Sequence, residues 1–227
     1  MSALDHTHDP AARSWLGSAQ AEGGDFPIQN LPLAMLRRRG SGETLRGATA
    51  IGDQALDLSR LAGTGLLQGH AQKACEACAA DRLNAFMAMG ASSWRALRHG
   101  LFALLGDGAS ADTQARVRAC LLPLTQVEYG LPASIGDYTD FYTSIHHAIN
   151  VGRLLFPDKP LTDNFQWLPI AYHGRASSVQ VGQAGFGFHR PAGQAMPPGA
   201  KAPVYTASTR LDFELEMAFF IGPGNAL

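Results

Sequence analysis

Leu211-Asp-Phe-Glu-Leu-Glu-Met-Ala-Phe-Phe220 alternates apolar with mostly acidic side chains, and its reading decides what the last third of this chain can be. Side chains of an extended strand alternate faces with period two. Leu211, Phe213, Leu215, Met217 and Phe219 then share one face, and Asp212, Glu214, Glu216 and Ala218 the other. The apolar face suits the cover of a core. The acidic face can be an ordinary solvated sheet face, where water relieves repulsion between nearby carboxylates. In a cleft a hard cation can do the same, because Mg²⁺ and Ca²⁺ prefer carboxylate oxygens. Spacing alone does not choose between the two.

Upstream lies a second chemically dense segment, Asp137-Tyr-Thr-Asp-Phe-Tyr-Thr-Ser-Ile-His-His147. In an extended stretch Asp140 and Tyr142 share a face. Ser144 is a good helix N-cap, which predicts a helix start there and puts His147 near the third helical position. Val151 and Leu154/Leu155 continue an apolar stripe along that helix. The partial positive charge of a helix N-terminus disfavours imidazolium, and a neutral imidazole suits general-base work near pH 7. His146 has the same chemistry, and spacing does not separate the two; a packed or solvated histidine is the plain alternative. Taken together, the two segments read as half of a metal-assisted hydrolytic site.

Working toward the amino terminus, residues 179–205 are rich in Gly and Pro with short extended pieces. Gly182, Gly185 and Gly187 lack the strand-turn-helix setting of a dinucleotide fingerprint and read as turns. The stretch 123–136 is a plausible boundary. Residues 112–121 and 70–89 read as helical. Trp94, Leu97, Leu101 and Leu104/Leu105 recur at helical spacing, which predicts an amphipathic helix over 91–105, broken by Gly106-Asp-Gly-Ala-Ser110. Residues 25–60 hold short β-like runs such as Gly47-Ala-Thr-Ala-Ile51, punctuated by Gly and Pro. Residues 1–24 are polar and Ala/Gly-rich and read as a loose leader.

Several of these strings resemble the fumarylacetoacetase family. They are Asp25-Phe-Pro-Ile-Gln-Asn-Leu-Pro32, Ala50-Ile-Gly-Asp-Gln54, Leu83-Asn-Ala-Phe-Met87, Ile135-Gly-Asp-Tyr-Thr-Asp-Phe-Tyr142, His147-Ala-Ile-Asn-Val-Gly152, Tyr172-His-Gly-Arg-Ala-Ser-Ser178, Arg190-Pro-Ala-Gly-Gln194 and Leu211 to Asn225. The resemblance runs from about residue 25 to the end. It implies a mainly β or α+β chain, with a small SH3-like amino-terminal domain (25–130) followed by an incomplete mixed β-sandwich roll (131–227). It implies hydrolysis of a carbon–carbon bond in 4-fumarylacetoacetate to fumarate and acetoacetate, the last step of tyrosine and phenylalanine breakdown. It also implies a homodimer and a divalent Ca²⁺ or Mg²⁺ ion. On the matching positions, Asp140, Glu214 and Glu216 would be metal ligands, His147 the base that activates water, and Tyr142 and Tyr172 substrate contacts. His146 is then the bystander.

Two departures qualify the resemblance. The family's fourth carboxylate ligand and the groups that stabilise developing charge lie downstream of the acidic strand, so this chain reads as a fragment. Phe156 stands where the family tends to place an Arg before Pro157, and Phe cannot form a charge-assisted bond to a substrate carboxylate. A related hydrolase of acylpyruvate-type diketones is an alternative, although the amino-terminal block argues against it. A non-catalytic remnant is another. An unpaired strand edge invites association, so the isolated chain is expected to oligomerise through residues 211–221.

Composition excludes several classes. The formal net charge of −1 over 227 residues makes no case for nucleic acid or an acidic membrane surface. Arg37-Arg-Arg39 is short and reads as a solvated loop or hairpin. No apolar run approaches the roughly 18 residues of a membrane span, and the polar start lacks a signal peptide's apolar stretch, so a cytoplasmic location follows by default. Cys75-Glu-Ala-Cys78 has no second pair to complete a zinc site, and with Cys120 the odd count argues against a secreted disulfide framework.

Overall fold

The computed structural model describes residues 4–182, 192–209, 213–222 and 224. Strands β1 (Leu33–Arg38), β2 (Arg46–Ile51) and β3 (Gln54–Asp57) form an antiparallel meander. Five helices follow: α1 (Leu58–Ala62), α2 (Gly69–Ala77), α3 (Asn84–Met87), α4 (Ala91–Leu105) and α5 (Ala111–Arg118). The chain then rejoins the sheet as β4 (Leu121–Pro123) and β5 (Val127–Gly130), giving the order β4-β3-β2-β1-β5. Period-two alternation fills both faces of this sheet. Met35, Ile51 and Leu56 enter the main core beneath the helices, while their neighbours Leu36 and Ala55 close a smaller cluster with Ala48, Leu122 and Val127. The α+β class is as expected.

Helix α4 spans the predicted 91–105, with Leu97, Leu101, Leu104 and Leu105 buried. It packs on α2, and Gly100 permits the close approach: a Cβ there would stand 2.7 Å from Leu67 Cδ2. The other helical readings overran. The first ends at Ala77 and resumes only as α3; the second stops at Arg118, because Leu121 and Leu122 pair with Leu56 and Ala55 of β3. Arg37 lies opposite Glu128 in the β1–β5 register and bonds it at 2.5 Å; Arg37 and Arg38 end β1 and Arg39 enters the turn toward β2, which is the hairpin expected of the basic run.

Asp57 joins sheet to helix. Its carboxylate caps α1 by accepting the N–H groups of Ser59 and Arg60, and its second oxygen meets Arg46 Nε at 2.5 Å in a fully buried position.

The leader is not loose. The last four carbonyls of any helix lack intrahelical partners. Here Ser14 Oγ donates to Leu105 O at 2.7 Å and Trp15 Nε1 donates to Leu104 O at 2.9 Å. Leu16 and Ala19 are buried in the main core, and Trp15 stacks beneath the Arg118 guanidinium. Residues 5–20 are therefore ordered by the end of α4.

Past residue 134 the described strands form two-stranded ribbons. Strand β6 (Thr139–Phe141) leads to helix α6 (Ile145–Leu155) and returns as β7 (Ala171–His173), which pairs antiparallel with β6. Strands β8 (Ala192–Ala195) and β9 (Val204–Ala207) make a second antiparallel ribbon. The described part of the expected roll consists of these two ribbons and α6. The strand expected at 211–220 is not formed over its described residues, 213–220. A strand needs a ladder partner for its backbone groups, and among the described residues no strand pairs with this segment. Both of its faces are exposed, with Leu215 and Met217 on the apolar one. Gly185, Gly187, Arg190, Leu211 and Asp212 lie outside the described residues. No helix among the described residues is long and apolar enough to cross a membrane.

Candidate functional site around Asp140

The β6–β7 ribbon sets Asp140 directly opposite Tyr172. Cross-strand partners on one face sit close enough for their side chains to meet, and the Tyr172 hydroxyl donates to Asp140 Oδ2 at 2.7 Å. Tyr138, two residues before Asp140 and so on its side of the strand, donates to the same oxygen at 2.7 Å. The two phenols hold the Asp140 carboxyl below its usual range. Reciprocally, the bond to Asp140 pushes Tyr138 up to about 12 and raises Tyr172. Both tyrosines therefore stay protonated donors at neutral pH. Gly174 lies against the Tyr138 ring, where any Cβ would collide with it, and its N–H donates to Tyr138 O at 2.7 Å.

A second pair forms where β6 runs into α6. Ser144 caps the helix as predicted, its Oγ accepting the His147 N–H at 3.3 Å. The Tyr142 ring stands edge-on to His147, with centroids 5.4 Å apart, and edge-on to Phe165 at 5.8 Å. The Tyr142 N–H donates to Ile170 O and extends the ribbon by one rung. Tyr142 and His147 thus meet where the strand runs into the helix, and Asp140 and Tyr172 meet beside them on the same ribbon.

The acidic residues are brought near but not together. The Glu214 and Glu216 charges add to the upward push on Tyr172, and that of Glu216 to the push on Tyr138. Both carboxylates are therefore close enough for their charge to be felt at this ribbon. Among the described residues, however, the one group of three or more carboxylate, imidazole or thiol atoms within 4.8 Å of one another is Asp5, His6 and His99. Asp140, Glu214 and Glu216 have the oxygen chemistry a hard cation wants, but their atoms are not gathered to coordination distance. Phe156 caps α6 at its carboxy-terminal end and is exposed.

Sequence reading missed Tyr138, although it shares the alternation that joined Asp140 to Tyr142. It also missed the exposed Asp137–His173 contact at 2.9 Å, made across the ribbon. Cys75, Cys78 and Cys120 are free and buried, with no second pair to make a zinc site.

Comparison with known proteins shows what the chain is similar to. Residues 29–132 match the family model described as "Fumarylacetoacetase N-terminal". The chain is 44% identical over 212 residues to fumarylacetoacetase of Oryza sativa subsp. japonica, covering 91% of this chain and 49% of that protein. It is 46% identical over 215 residues to the Bos taurus fumarylacetoacetase and 44% identical over 214 residues to the Homo sapiens one, again covering 91% of this chain and 49% of each. The chain thus spans about half the length of the curated relatives it matches, and it is related to fumarylacetoacetases over nearly all of its own length.

Proposed function

We propose that this chain, a relative of the fumarylacetoacetases, carries one half of a site that hydrolyses a carbon–carbon bond in a diketo acid of the 4-fumarylacetoacetate type. The observation that carries the reading is the grip of Tyr138 and Tyr172 on Asp140, with His147 beside Tyr142 and the charges of Glu214 and Glu216 felt at Tyr172. An ionised Asp140 joined by two glutamates is a donor set for Ca²⁺ or Mg²⁺, which when bound would polarise a substrate carbonyl.

The chain's own residues have separable roles. His147 takes a proton from water as the oxygen adds to the carbonyl. The adjoining carbon–carbon bond then breaks, its electron pair leaves as an enolate, and protonation of that enolate completes the products. Tyr142 orients the imidazole through its ring edge and contacts substrate. Tyr172 keeps Asp140 charged and faces the same space. Phe156, in place of an arginine, leaves one substrate carboxylate without a charge-assisted partner and raises KM. Free buried cysteines suit a reducing, cytosolic compartment. Assembly is as a homodimer.

A second reading rests on a different observation. Among the described residues beyond 134 the buried apolar ones reduce to Ala148, a half that could serve only to bind further polypeptide. One assay separates the two: loss of fumarylacetoacetate absorbance with Mg²⁺ or Ca²⁺, for the chain alone and co-expressed with the missing half of a relative. Turnover under either condition, abolished by His147→Ala, supports the hydrolase. Absence of turnover under both, from folded protein, sinks it.

A further inference from the structure

The amino-terminal segment carries a cluster that the proposed hydrolase does not use. Asp5 starts a short helical turn, and its Oδ1 accepts the Thr7 N–H at 2.9 Å and the Thr7 hydroxyl at 2.7 Å, with His8 Nδ1 at 3.1 Å. Its other oxygen points at α4, where Oδ2 lies 2.7 Å from His99 Nε2, across 94 positions of sequence. The His6 ring stands edge-on to that of His99, centroids 4.7 Å apart, and also edge-on to Phe102 at 5.6 Å. One carboxylate oxygen and two imidazole nitrogens consequently lie within 4.8 Å of one another.

The segment is held in place independently of these three groups. Thr7 is fully buried, and Arg98 donates to its hydroxyl at 2.8 Å, to its carbonyl, and to Gln29 O at 2.7 Å. His6 and His99 thus face each other across an anchored joint, with His6 exposed to solvent and His99 half-buried.

We propose that Asp5, His6 and His99 form a binding site for a divalent transition metal of the zinc class, distinct from the carboxylate set around Asp140. Two imidazoles and one carboxylate are the ligands borderline-soft ions select, whereas Ca²⁺ and Mg²⁺ want oxygen. The ion takes the place of the proton that now bridges Oδ2 and Nε2. Ligands at about 2.0–2.2 Å in tetrahedral array sit about 3.4 Å apart, so the pair opens by roughly 0.7 Å. The exposed segment can give by that much. Three protein ligands leave a position for water, and the nearby Arg98 charge opposes a dication, so binding is weaker than at closed four-ligand zinc sites. The ion would fasten the amino-terminal segment to α4 and stabilise the folded state by binding it alone.

The test uses the full chain, stripped of metal and titrated with Zn²⁺ against a chromogenic chelator. His146→Ala/His147→Ala removes a rival histidine pair, and His6→Ala removes one ligand while leaving the Asp5–His99 bond and the Arg98 anchor intact. Expected are one equivalent of Zn²⁺ in the unaltered chain and in the double variant, and at least a tenfold loss of affinity in His6→Ala. Zn²⁺ should raise Tm of the unaltered chain and not of His6→Ala, whereas any rise with Ca²⁺ should be the same in both. Equal Zn²⁺ affinity in His6→Ala, or no stoichiometric binding at all, overturns the site and leaves Asp5–His99 a hydrogen-bonded clasp.

Discussion

Residues up to 134 and residues beyond it use the same local rules to different ends. In the first region caps, alternation and helical stripes all lead to buried groups: among the described residues, 27 of the 28 buried apolar ones lie there, Ala148 being the exception. In the second, α6 has its serine cap and a strong apolar stripe, yet Leu154, Leu155 and Phe156 are exposed, Leu154 by 83%. Trp167, Leu168 and the apolar residues of 213–221 are exposed as well. Most helical stability in proteins comes from packing of the apolar face rather than from propensity. The first region therefore stands on its own core, and the second holds its ribbon by hydrogen bonds beside exposed apolar surface. That patch is far larger than isolated surface residues require, and patches of this kind mark interaction surfaces.

Two aspartates, one per region, give the sharpest contrast. Asp57 is fully buried, caps α1 and pairs with Arg46. Replacing it by alanine leaves a largely buried guanidinium with Glu43 as its remaining ionic partner and removes a cap, at a cost of about 3 kcal/mol. Asp137 pairs with His173 where both side chains are mostly exposed, so Asp137→Ala should cost no more than about 1 kcal/mol. Urea unfolding of the two variants measures the gap. Equal losses would break the comparison.

Apolar truncation tests it next. Leu105 is fully buried at the end of α4, and Leu105→Ala should cost about 2–5 kcal/mol. Leu154→Ala, on the exposed stripe of α6, should stay within about 0.5 kcal/mol. Should co-expression with the missing half of a relative raise the Leu154→Ala cost into the range of Leu105→Ala, the α6 stripe is an interface. An unchanged small cost would make it a solvated face.

Legibility in the sequence followed the same divide. The stripe of α4 could be read because its period and its burial coincide, and the start of α6 because Ser144 and His147 are three residues apart. Tyr142 and His147 met because both lie within that one junction. The ordering of residues 5–20 had no local signal, since Ser14 and Trp15 satisfy carbonyls of α4 about 90 positions away. The Asp5–His99 contact was hidden for the same reason. Alternation in 211–220 states which side chains would share a face but says nothing about a partner, and that partner is what the described residues lack. Tyr138 was within reach, because period two assigns it to Asp140 as surely as it assigns Tyr142.

The last test is a pH dependence confined to alkaline solution. All three cysteines belong to the first region; the Cys75 thiol donates to Leu58 O at 3.2 Å, and Cys78 is equally buried. Burial pushes Cys75 and Cys78 from an ordinary value of 9.0 up to about 12, and raises Cys120. Below pH 9 both folded and unfolded thiols are protonated, so the buried thiols lend stability in full. As pH rises from about 9 toward 12, the unfolded chain releases protons that the folded chain keeps, and that contribution is lost. Folding stability measured across this window should fall, more gently in Cys75→Ala/Cys78→Ala. The thiolate is the reactive form, so a disulfide reagent at pH 8 should label the native thiols slowly and the urea-unfolded ones at once. Trp167, 80% exposed, offers a parallel probe of the second region through acrylamide quenching. Slow thiols beside a fully quenched Trp167 uphold two regions of unequal burial; fast thiols in the native chain would show the first region opening as readily as the second.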